Sequence, residues 1–129
     1  MNALLIYPAD GGRFVPARVA RLLSGLEGVS DLNGPTLRDS LVACHYVFGG
    51  DATTLRLDPD RQVISLHGTG VASWQLAREL QKREKRGLRV TDDDYSFDFC
   101  LNEVDSLAEM QAKMSAGLTE ALAPVEQVA

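Results

Sequence analysis

Two neighbouring stretches decide the fold: Val63-Ile-Ser-Leu-His-Gly-Thr-Gly-Val-Ala-Ser-Trp-Gln-Leu-Ala-Arg-Glu-Leu80, then Gly87-Leu-Arg-Val-Thr-Asp-Asp-Asp-Tyr-Ser-Phe-Asp-Phe99. The first reads as a strand, a glycine turn and a helix. Ala72, Leu76, Ala77 and Leu80 form the inner stripe of that helix, and its basic residues gather in the last turns, where cations complement the dipole. The second reads as a short strand over Leu88–Val90, an acidic triplet, and a strand with Tyr95, Phe97, Phe99 and Leu101 facing inward.

Upstream of Val63 the pattern is a meander. Residues Leu41–Phe48 alternate, Gly49-Gly50-Asp51 supplies a hairpin turn, and Thr53, Leu55 and Leu57 return. Asp58-Pro59-Asp60-Arg61 has the chemistry of a type I turn before the next strand. Further back, Ala3-Leu-Leu-Ile-Tyr is an apolar run expected at a sheet centre or buried on both faces. Val15, Val19, Leu22, Leu23 and Leu26 then recur at helical spacing behind Pro16, with Gly28 as the stop. Val29–Arg38 reads as a loop with room for a short edge strand. Downstream, Ser106-x-x-Glu109 is a capping box opening a last helix that buries Leu107, Met110, Met114 and Leu118.

The resulting order, β-α-β-β-β-α-β-β-α, predicts one α+β domain over residues 1–122, with a frayed tail at 123–129. Its sheet should be mostly antiparallel, with five to six strands and about three helices. A length of 129 residues allows one core of ordinary size. A net charge of −5 argues against nucleic acid, because binding a polyanion needs a basic face. No run is long enough to span a membrane, and Met1-Asn2 with the short apolar run behind it does not make a signal peptide, so a cytoplasmic location is expected. Cys44 and Cys100 lie in apolar strand-like runs and read as buried, reduced thiols.

Several sites could carry chemistry. Gly68-Thr69-Gly70 between strand and helix, with Asp92 further on, copies the layout of a dinucleotide fingerprint. Ser73 and bulky Trp74 occupy the place of its third glycine, and no second half of a doubly wound sheet follows, so the turn reads as architecture. A small nucleotide- or phosphate-binding enzyme using Gly68, Gly70 and His67 is the alternative function. Asp92, Asp93 and Asp94 suggest calcium, but the glycine and glutamate of an EF-hand loop are missing, so no metal or other cofactor is expected. Neither His45 nor His67 belongs to a nucleophile motif, and no catalytic residue is assigned. The acidic group is better suited to a protein partner. Asp92, Asp93, Asp94 and Asp98 would meet basic side chains, with Tyr95 and Trp74 as aromatic anchors.

The segments Ser65–Gln81, Asp93–Leu101 and Val104–Met110 resemble a group of small bacterial immunity proteins that neutralise toxins of interbacterial competition, type VI secretion effectors among them. The resemblance spans roughly Asp51 to Met114. It implies a cytoplasmic antitoxin that occludes the basic active-site cleft of a cognate toxin by binding. Homodimerisation is left open.

Overall fold

Strict alternation builds the sheet. The computed structural model describes residues 3–34, 42–104 and 106–113. Its strands are β1 (Ala3–Pro8), β2 (Val29–Asn33), β3 (Val42–Phe48), β4 (Asp51–Leu57), β5 (Ile64–His67), β6 (Leu88–Asp92) and β7 (Asp98–Cys100). They form one sheet in the order β2-β3-β4-β5-β1-β6-β7, with every neighbouring pair antiparallel. The fold is α+β, as expected, with more strands than the five or six anticipated. The additional strand is β2, in the stretch read as a loop.

Helices α1 (Pro16–Ser24) and α2 (Val71–Arg83) cover one face. Leu4, Ile6, Cys44, Tyr46, Leu55, Leu57, Ile64, Leu66 and Val90 from the strands meet Val19 and Leu23 of α1 and Ala72, Trp74, Leu76, Ala77 and Leu80 of α2. Removing this apolar area from water drives the fold, at roughly 25 cal/mol per Å². The alternate residues, among them Leu5, Tyr7, Arg56, Ser65, His67, Arg89 and Asp98, point to the other face and are half-buried or exposed. No described helix covers that face. The apolar run Ala3–Tyr7 therefore lies at the sheet interior but is fully buried on one side only.

Residues 107–113 are helical. The Ser106 hydroxyl oxygen accepts the Glu109 N–H at 3.2 Å, and Met110 is fully buried. Met114, Leu118 and the tail at 123–129 lie outside the described residues. No described helix is long and apolar enough to cross a membrane.

One cap ties the hairpin to α2. No side chain within α2 caps its start at Gly70, but Asp51, at the head of β4, accepts the Ala72 N–H at 3.1 Å. A Cβ at Gly70 would stand 2.4 Å from that same carboxylate oxygen, so glycine makes room for the cap. Asp51→Ala is expected to cost about 1 kcal/mol, in the range of lost N-caps, read as a lower urea midpoint with an unchanged slope. An unchanged midpoint would show that water replaces the carboxylate without loss.

Candidate functional site

The acidic triplet lies on the β6–β7 turn, and Asp92 organises that turn. Its backbone carbonyl accepts the Tyr95 N–H at 3.1 Å. One carboxylate oxygen accepts the Ser96 N–H at 2.7 Å and the other accepts the Ser96 hydroxyl. Beneath the turn, the Thr91 hydroxyl donates to the Phe97 carbonyl at 2.5 Å. Phe97 and Phe99 then anchor it to α2, with Phe99 stacked on Trp74 at 6.0 Å between centroids and Phe97 tilted at 5.7 Å.

Pinned in this way, the turn presents Asp93, Asp94 and Tyr95 to solvent. Tyr95 is 77% exposed, and its φ of 53° lies in the left-handed region that a tyrosine rarely adopts. Ligand oxygens of Asp92, Asp93 and Asp94 lie within 4.8 Å of one another, which concentrates negative charge at the tip. Both oxygens of Asp92 are already taken up by Ser96.

The structure rearranges the sequence-derived site. Asp93, Asp94 and Tyr95 stand together at its exposed tip. Tyr95 does not face inward as alternation suggested, because the positive φ swings it out of the strand register. Asp92 is 8% exposed and serves as the internal brace of the turn rather than as a contact. Trp74 is fully buried under Phe97 and Phe99, so it belongs to the core and leaves the proposed surface. Its indole N–H has no hydrogen-bond partner among the described residues. Asp98 is exposed on the open sheet face but is held by its own neighbours. It accepts the Tyr7 hydroxyl at 2.5 Å and the Arg89 Nε–H at 2.7 Å.

Beside the tip runs a groove of about 340 Å³ along β1, whose lining includes Leu5, Tyr7, Val63, Thr91 and Tyr95. Sequence reasoning missed it, because its residues come from distant segments and meet only through the antiparallel pairing of β1 with β5 and β6.

The glycine turn has a different role. Asp51 occupies the Ala72 amide at the start of α2. The His67 carbonyl accepts the hydroxyls of Thr53 at 2.8 Å and Ser73 at 3.0 Å. With the protein's own carboxylate on that amide, a phosphate would meet like charge there, and the dinucleotide reading loses its anion seat. On the open face His45 pairs with Thr54 at 3.1 Å.

The two thiols differ. Burial pushes the Cys44 thiol up to about 11 from its usual 9.0. Cys100 is half-buried, and its sulfur accepts from Arg89 at 3.0 Å. A disulfide reagent at pH 8 is expected to modify Cys100 in the native protein and both thiols after unfolding. Fast native labelling of Cys44 would contradict its burial. Tyr7 is also raised, by desolvation first and then by Asp98. For both groups the folded value lies above the unfolded one. Their contribution to stability is therefore complete below pH 9 and declines as pH climbs, for Cys44 between 9.0 and about 11. Urea midpoints taken across that window check the sign.

The fold and site define a class: an antiparallel sheet with described helices on one face only, an acidic aromatic tip and an adjacent groove. Compared with models of known protein families, with curated proteins and with solved structures, the chain has no match.

Proposed function

We propose that this chain is a binding protein, and specifically an immunity protein that occludes a cognate toxin by seating its acidic tip in the toxin's basic cleft. The carrying observation is the exposed Tyr95, set beside Asp93 and Asp94 on a turn whose backbone Asp92 holds. An exposed aromatic ring flanked by carboxylates suits a cationic surface. The ring offers contact area and a π face at little entropic cost, and the carboxylates attract Lys and Arg. The resemblance of Ser65–Gln81 and Asp93–Leu101 to immunity proteins points the same way. In this reading the chain works by binding, without a cofactor, in the cytoplasm where its toxin would act.

The test is co-expression with the product of the adjacent gene, together with binding measured on the purified pair. Asp93→Lys/Asp94→Lys is expected to abolish protection and weaken binding at least about 10-fold, mostly through slower association, with the fold intact. Full protection by that variant would defeat the site. A wild-type protein that leaves its neighbour's toxicity untouched would defeat the function.

A further inference from the structure

Away from the acidic tip, cations gather in a crevice between the start of α1 and the segment that follows α2. Its volume is about 260 Å³, and its lining includes Arg13, Val15, Arg18, Glu84, Lys85 and Arg86. Four cations at one crevice are unexpected in a chain of net charge −5. Two carboxylates answer them. Glu84 lies 3.4 Å from Arg18 and 3.8 Å from Arg86, and Asp10 lies 3.8 Å from Arg86. Arg86 is further fixed by its bond to the Arg13 carbonyl at 2.5 Å and by stacking 5.4 Å over Phe14. The exposed side chains of Arg13 and Lys85 make no ion pair with any described residue.

Helix polarity sharpens the imbalance on the α1 side, while Lys85, one residue past the Glu84 C-cap of α2, lies where the dipole favours a cation. Arg13 and Arg18 stand at the N-terminal end of α1, where the dipole disfavours cations. No acidic residue sits in the first turn of α1, and no side chain caps it. Val15 at its head is 58% exposed, so the mouth of the crevice is open. Two cations in excess, a positive helix end and an open mouth together favour a bound dianion. At about 260 Å³ the crevice lies just below the roughly 300–1,000 Å³ of pockets for whole small-molecule ligands, so it suits a small anion better than a complete nucleotide.

We propose that this crevice binds a small phosphate-class dianion, with Arg13 and Lys85 closing on it while Arg18 and Arg86, braced by Glu84, form its wall. The inference does not depend on the immunity reading, since it uses none of the residues at the tip.

Titration of the full chain with inorganic phosphate and inorganic pyrophosphate, by calorimetry in about 50 mM salt, tests it. Saturable one-site binding is expected, with a raised melting temperature. Arg13→Ala/Lys85→Ala should weaken it at least about 10-fold, the loss expected when charge-assisted bonds are removed. Arg56→Ala/Lys113→Ala removes the same charge from exposed positions outside the crevice lining and should leave the affinity within about 2-fold. Both variants alter exposed side chains, and circular dichroism confirms that each is folded. The proposal is overturned if neither probe binds the wild type at about 5 mM. It is equally overturned if the two double variants lose affinity alike, which would mean diffuse charge attraction.

Discussion

Trp74→Ala is expected to remove about 3–5 kcal/mol of stability, the loss typical of truncating a large core aromatic. That is a large share of the 5–15 kcal/mol that holds most domains together. The site cannot collapse easily. Trp74 is fully buried and packed on Phe97 and Phe99, and those rings in turn hold the β6–β7 turn. One term offsets the loss. The indole N–H has no partner among the described residues, so its removal ends a desolvation cost of about 1–3 kcal/mol. Trp74→Phe keeps much of the packing and drops the unpaired N–H, so it should lose far less than Trp74→Ala. Because Trp74 is the only tryptophan in the chain, far-ultraviolet circular dichroism in urea is the suitable readout. A loss below about 1 kcal/mol for Trp74→Ala would show that the three-ring stack contributes little.

Tyr95 should behave in the opposite way, costing stability while supplying contact. Tyr95→Gly is expected to stabilise the free protein by about 1 kcal/mol, because glycine adopts the left-handed backbone without the penalty a side chain incurs. The exposed ring has little packing to lose in exchange. If the tip is the partner-binding surface, the same variant should weaken the complex by at least about 2 kcal/mol, roughly 30-fold, as removal of a central aromatic anchor does. A protein that becomes more stable and binds less tightly is the signature of backbone strain kept for function. Thermal melts of the free variant and calorimetry of the complex separate the two effects. Unchanged binding would remove Tyr95 from the interface, and lower stability of the free variant would mean that the ring contributes packing.

Alternation and turn chemistry carried the reading of the central sheet. Val42–Phe48, Gly49-Gly50-Asp51 and Thr53–Leu57 specify a hairpin locally, since period-two burial and positive-φ glycines leave few alternatives. The edge was harder to read. Strand β2 is half-exposed and interrupted by Asp31 at a φ of 52°, with a register shift between Ser30 and Asn33, so it carries no clean alternation. It pairs where Gly28, at a φ of 93°, comes so close to β3 that an added Cβ would lie 2.6 Å from the Val47 carbonyl oxygen.

Local residues thus determined every strand but β2, helices α1 and α2, the antiparallel character of the sheet, and the acidic turn as the prominent exposed feature. Tertiary structure decided what each residue of that turn does. Whether a carboxylate braces or protrudes depends on the partner its oxygens find, and Asp92 finds Ser96 while Asp93 and Asp94 meet water. Trp74 entered the core because Phe97 and Phe99, just before β7 and within it, close over it, a contact that helical spacing cannot encode. The groove along β1 and the cationic crevice beside α1 likewise exist only once segments far apart in the chain are brought side by side.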